Sequence, residues 1–242
     1  MQSPKPYGEF AELIKYLLND ATPKQTVSVI TFNYDLACDF AFFKSGIHVD
    51  YALGENVHAR AVPLLKLHGS LNWAFCPELD KVVPWTMKAH FSQFTWRYIP
   101  DDAKTVFLKM IPHLGAFKYE DKEVIPEPVL VPPTWNKTEH HRNLADVWSR
   151  AAKELSEAEN IFVIGYSLPE TDAFFKYLFA LGTVGTNLLK RMWVFNPDAS
   201  GVVEKRFKSI LGPAASARFQ YVPASFDGAI SVCKQNLKGA NR

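Results

Sequence analysis

Four short polar segments carry the groups that could do chemistry. Thr31-Phe32-Asn33-Tyr34-Asp35 puts a hydroxyl, an amide and a carboxylate on alternate positions, and Leu67-His68-Gly69-Ser70 sets an imidazole beside a glycine. Gly165-Tyr166-Ser167 and Asn196-Pro197-Asp198 add further small polar groups. An imidazole with its ordinary pKa of about 6.5 is mostly neutral at pH 7 and can take a proton from a hydroxyl or from water. Asn33 does not titrate, so beside such a base its work is to position a reacting group. Each segment also has a plain structural reading. Asn33 and Asp35 are good helix N-caps, worth about 1 kcal/mol to the helix that follows. His68-Gly69 is an ordinary turn, Gly165-Tyr166-Ser167 suits a strand-to-helix turn, and Asn196-Pro197-Asp198 suits a turn in any fold.

The surrounding sequence supplies elements that end where these groups begin. Phe10, Leu13, Ile14, Leu17 and Leu18 recur at helical spacing within residues 7–19. Thr26 to Phe32 is rich in β-branched residues and predicts a strand running into Asn33, with a helix from Leu36 to Phe43. Leu64 to Leu67 predicts a second short strand, stopped by His68-Gly69, where glycine eases a turn. Leu144, Val147, Trp148, Ala151, Ala152 and Leu155 form a helical stripe. Asn160 to Gly165 follows as a strand apolar on both faces, as buried parallel strands are. Helices near 172–181, 202–211 and after 225, with strands at 192–195 and 219–222, complete an alternation that predicts an α/β fold with a doubly wound parallel sheet. In such a sheet ligands lie outside the carboxyl ends of the strands, so the four polar segments converge on one expected site.

Between Leu71 and Pro128 the alternation is lost, yet Trp73, Trp85, Phe91, Phe94 and Trp96 fall there. A solvated linker would not carry them, so 71–128 is expected to be an inserted small subdomain or lid, and 1–70 with 129–242 the main domain.

Composition narrows the classes. The chain has 242 residues, of which 48% are hydrophobic and 21% charged, enough to bury a sizeable core. Lys plus Arg total 27 against 25 Asp plus Glu, a formal net charge of +2, and no basic stripe follows a phosphate backbone, so nucleic acid is not expected. The opening residues lack a signal-type apolar core, and the apolar run ending at Gly165 is too short to span a bilayer, so a cytoplasmic protein away from membranes is expected. Cys38, Cys76 and Cys233 form no CxxC pair, and the adjacent His140 and His141 would diverge by about 100° on a helix with no third ligand in register. No metal is expected.

The order of the four segments resembles the sirtuin superfamily, in particular its bacterial sirtuin-like NAD hydrolases, in which a TxNxD motif, an HG motif, a G-(S/T/Y)-S turn and a late Asn succeed one another on a Rossmann-like sheet. The resemblance covers about residues 26–70 and 129–226, and Pro132 to Lys137 is similar to a segment of the bacterial branch. It implies that Asn33 and His68 are the catalytic pair and that Thr31 and Asp35 belong to the cofactor site, with Asp35 on the nicotinamide carboxamide. It implies Gly165 and Ser167 at the phosphates and inner ribose, and Asn196 at the adenosine ribose. NAD is then the substrate. Its cleavage builds oxocarbenium character on the ribose, a change that an ordering amide and a neutral base suit.

Two departures from the family pattern carry expectations. No two of the 12 glycines are separated by a single residue, so the GAGxS phosphate loop is absent. The chain is therefore expected to start after the family's first strand, as a fragment or partner-dependent piece. The four zinc-binding cysteines of the protein-deacylating members are also missing, which favours hydrolysis of NAD over deacylation and implies no zinc. The resemblance suggests a phage-defence effector. The competing reading is a non-catalytic module that binds a nucleotide or a protein partner.

Overall fold

The computed structural model describes residues 3–21, 23–54, 58–92, 117–131, 144–169, 176 and 189–238. The expected helix at 172–181, the Pro132–Lys137 segment, His140, His141, Phe94 and Trp96 lie outside the described residues.

Two compact units divide the chain. The first comprises Met1–Lys15 and Thr26–Trp148, the second Tyr16–Gln25 and Ser149–Arg242. The division passes through helix α1 (Tyr7–Asn19) and helix α4 (Ala145–Glu157).

In the first unit the strand expected over Thr26 to Phe32 is shorter, the one expected over Leu64 to Leu67 begins earlier, at Val62, and a short strand at Val49–Asp50 joins them without having been expected. β1 (Val29–Thr31), β2 (Val49–Asp50) and β3 (Val62–Lys66) make a three-stranded sheet in the order β1-β3-β2, and both pairings are parallel. Every residue of the central β3 is buried, as a strand paired on both edges and covered on both faces must be. Helix α2 (Ala37–Lys44) follows β1 and buries Phe40, Ala41 and Phe42. The Phe42 ring stacks on Phe10 of α1 at 6.0 Å, and Ala11, Leu13 and Ile14 extend that buried stripe.

The aromatic-rich stretch forms a small antiparallel insert. β4 (Trp73–Cys76) pairs with β5 (Lys81–Pro84), and β6 (Lys118–Tyr119) pairs with β7 (Lys122–Glu123). Asp80, Glu120 and Asp121 adopt the left-handed backbone that tight hairpin turns require. Trp73, Ala74 and Cys76 are buried, and the Trp85 ring lies parallel to Phe117 at 5.1 Å within an apolar cluster that includes Val83 and Val124. The large aromatics are there to fill this small core. Helix α3 (Met87–Ser92) follows β5.

The second unit holds another three-stranded parallel sheet, β8 (Asn160–Ile164), β9 (Arg191–Phe195) and β10 (Phe219–Val222), in the order β10-β9-β8. Helix α5 (Val202–Ile210) and the short turn of helix α6 (Pro213–Ser216) lie between β9 and β10, and helix α7 (Phe226–Lys238) follows β10. Val203 and Phe207 of α5 and Ala229, Ile230 and Cys233 of α7 are buried. The fold is thus α/β, with parallel sheets and a small antiparallel insert. One expectation needs correction. β8 is not buried on both faces: all five of its residues are half-buried, because among the described strands it is an edge, paired only with β9.

Candidate functional site

The register of the first sheet decides which side chains share a strand end. β1 and β3 run parallel with Thr31 opposite Lys66, and the Leu67 N–H extends the ladder to the Thr31 carbonyl at 2.9 Å. Asn33 and His68 each lie two residues beyond that last pair, so the amide and the imidazole leave neighbouring strands at the same level. Asn33 is exposed and His68 half-buried. The Phe32 ring meets the His68 ring edge-on at 5.1 Å.

Backbone and side-chain bonds fix both turns. The Asn33 N–H donates to Thr31 Oγ1 at 3.0 Å, and Asn33 Nδ2 donates to the Tyr7 hydroxyl at 3.4 Å. Burial first, and the Asp35 carboxylate second, raise the pKa of that hydroxyl above its ordinary value, so it stays protonated in the physiological range. Asp35 Oδ1 accepts the Ala37 N–H at 2.8 Å, a local turn bond just ahead of α2. Neither Asn33 nor Asp35 is the N-cap of α2, a position held by Leu36 without a side-chain bond, and the Asn33 side chain turns to Tyr7.

His68 sits on a turn built by backbone proximity. Gly69 has φ +81°, and a Cβ there would lie 1.9 Å from the Val129 carbonyl oxygen. The segment around Val129 runs antiparallel across the turn. The Ser70 N–H donates to the Val129 carbonyl at 3.1 Å, and the Val131 N–H donates to the His68 carbonyl at 2.9 Å. The Trp148 indole N–H donates to the Leu67 carbonyl at 3.1 Å. Ser70 Oγ and the Asn72 side chain, both buried, continue the chain of bonds to the Trp85 carbonyl.

Beneath the two turns lies a buried charged group that the sequence reading did not single out. Lys66 is 1% exposed, and its Nζ donates to Asp39 Oδ2 at 2.9 Å and to the Asp35 carbonyl at 2.5 Å. Asp39 is as deeply buried, and its other oxygen accepts the Tyr51 hydroxyl at 2.6 Å. Burial, then the Asp39 charge, push the Tyr51 hydroxyl well above its ordinary pKa, and burial raises the neighbouring Cys38 thiol in the same way. The signal was present in the sequence. A lysine inside the apolar run Val62 to Leu67 must be satisfied by a partner, since an unpaired buried ammonium is prohibitively costly.

The other three predicted residues lie in the second unit. Gly165 is exposed with φ +74°, and its N–H donates to the Phe195 carbonyl at 2.8 Å. The Ser167 carbonyl accepts from Arg206 at 3.4 Å, and the next residue, Leu168, is buried with φ +48°. Asn196 is buried, and its side chain is engaged at both ends. Nδ2 donates to the Tyr166 carbonyl at 3.4 Å, and Oδ1 accepts the Asp198 N–H at 3.0 Å. Asp198 Oδ2 accepts the Val203 N–H at the start of α5, and bonds from Ser200 and Val203 hold its carboxyl below the usual carboxylate range. Asn196 thus joins the β8 and β9 turns within this unit.

Among the described residues no group of three or more His, Cys, Asp or Glu could hold a metal ion, and no helix is long and apolar enough to cross a membrane. The three cysteines are free thiols.

No family model and no curated protein matches the chain. Among solved structures it is similar to a Sir2 enzyme bound to a propionylated peptide, with 13% identity, TM-score 0.40 and coverage of 97% of this chain and 69% of that one. It is also similar to a Sir2–p53 peptide–NAD+ complex, at 13% identity and TM-score 0.41, covering 97% and 68% of the two chains. A structure described for the mechanism and regulation of Sir2 enzymes matches at 16% identity and TM-score 0.43, with 97% and 68% covered. These likenesses concern the course of the backbone and carry no argument about substrate or residue roles.

Proposed function

We propose that the chain is a sirtuin-like NAD glycohydrolase that releases nicotinamide from NAD, with phage defence the setting its sequence resemblance suggests. The observation that carries this reading is the β1–β3 register, which brings an exposed amide and a half-buried imidazole to adjacent strand ends at the same level. His68 acts as the base that accepts a proton from a ribose hydroxyl or from water, and Asn33 orders the attacked sugar or the water. Thr31 holds the Asn33 turn through its hydroxyl. Asp35 Oδ1 is committed to the Ala37 N–H, so contact with the carboxamide falls to its second oxygen. Gly165, Ser167 and Asn196 serve the phosphate and adenosine side, and the side-chain bonds of Asn196 limit it to shaping the turn that would face the ribose.

The test is nicotinamide release from NAD, followed chromatographically. The wild-type chain should release nicotinamide without any acylated peptide, whereas a deacylase would consume NAD only when acyl-lysine is supplied. Asn33→Ala and His68→Ala should each lower the rate about 100-fold or more. Unchanged release in either variant contradicts the assignment. A second reading, nucleotide binding without turnover, is favoured by the lack of any two glycines spaced by one residue. Calorimetric binding of NAD and ADP-ribose with no nicotinamide release would establish it.

A further inference from the structure

A lysine ammonium buried to 1% exposure at the end of a central strand is expensive to desolvate, so its partners reveal what it holds. The Lys66 ammonium has two. One is the Asp39 carboxylate on α2, at 2.9 Å; the other is the main-chain carbonyl of Asp35, at 2.5 Å. The carbonyl belongs to the turn that carries Asn33, and the lysine lies two residues before His68 on the adjoining strand. Asp39 in turn is steadied by the Tyr51 hydroxyl at 2.6 Å, and the Tyr51 ring packs edge-on against the buried Trp73 at 5.3 Å. The ammonium therefore ties the turn at the end of β1 to the strand that ends in the imidazole.

We propose that Lys66 is a positioning residue. Its bond to the Asp35 carbonyl, anchored by Asp39, sets the Asn33–Asp35 turn against His68 and so fixes the distance between the amide and the base. The proposal rests on the glycohydrolase reading for its kinetic consequence, and on geometry alone for the hold on the turn.

Two readouts on the 242-residue chain test it. The double variant Lys66→Met with Asp39→Asn removes both charges together and leaves an amide to accept the Tyr51 hydroxyl, which avoids stranding a buried ion. Hydrogen exchange over residues 32–38 should quicken about tenfold or more, because the turn loses its tether to β3. In NAD hydrolysis kcat should fall about tenfold or more with KM within about twofold, the pattern of a misplaced reacting group. Tyr51→Phe is the control. It removes a bond to the other Asp39 oxygen, lowers stability, and should leave the exchange of 32–38 and kcat near wild type. If the double variant does not fold, Asp39→Asn alone should quicken exchange over 32–38 about threefold or more. Wild-type exchange over 32–38 in a folded double variant, or in Asp39→Asn if that is the one measured, overturns the proposal. So do losses in Tyr51→Phe equal to those of the double variant, which would mark a purely structural network. A wild-type chain that releases no nicotinamide contradicts the glycohydrolase reading instead, and the exchange result still decides whether Lys66 holds the turn.

Discussion

Tyr51 gives its hydroxyl proton to one oxygen of Asp39 while Lys66 occupies the other, so three polar groups settle one another inside an apolar layer. Removing the hydroxyl in Tyr51→Phe leaves a carboxylate oxygen unsatisfied and should cost about 1–3 kcal/mol in denaturant unfolding. The same burial makes stability depend on alkaline pH. Tyr51 has a raised folded pKa, so the unfolded chain loses that proton first, near its ordinary value of 10.0. Cys233, pushed by burial from 9.0 up to about 11, behaves alike. Their stabilisation is complete below about pH 9 and is lost as pH rises, for Cys233 between 9 and about 11 and for Tyr51 from 10 upward. The denaturation midpoint should therefore fall between pH 8 and 10.5, and Cys233→Ala should flatten the lower part of that fall. Gly69→Ala is predicted to be severe, since the new Cβ meets the Val129 carbonyl at a left-handed φ. A loss of about 2 kcal/mol or more, seen as a lower Tm, is expected, and an unchanged Tm would contradict the turn geometry. At this scale the turns that carry Asn33 and His68 could be read from residue type and order. Tyr7, Tyr51 and Asp39 could not, because their roles depend on partners up to 27 residues away that no local pattern reveals.

Elements with strong periodicity lie close to where their side chains predict. The stripe of α1, the strand–turn–helix from β1 into α2, and the strands β9 and β10 all follow from local pattern and turn chemistry. Strand lengths were less accessible. Thr26 to Ser28 have strand-forming character but lie outside β1, which spans Val29–Thr31 and, among the described residues, pairs with β3 alone. β8 shows the limit most plainly, because an apolar run reads the same whether the strand is central or at an edge. Its half-buried side chains predict an asymmetry with the paired position on β9. Met192→Ala, at a fully buried site, should cost about 2–5 kcal/mol, whereas Ile161→Ala, directly opposite it, should cost clearly less. Equal losses in paired denaturant titrations would mean that β8 is covered after all. The antiparallel insert was visible only as aromatic density. Its hairpins rest on left-handed Asp80, Glu120 and Asp121, of which only the aspartates are turn-favouring in type.

Across the molecule, the two units divide the seven sequence-predicted residues. The first holds Thr31, Asn33, Asp35 and His68, and the second holds Gly165, Ser167 and Asn196. The parallel strands were legible as an α/β alternation. The proposed glycohydrolase activity requires Asn33 and His68 to act on the same bond. A double-mutant cycle on nicotinamide release from NAD measures that directly, using the wild-type chain, Asn33→Ala, His68→Ala and the pair. If the two act as a unit, each single loss should be about 100-fold or more and the double variant should be scarcely slower than the worse single one. Losses that multiply independently, or nicotinamide release at the wild-type rate without His68, would contradict the account.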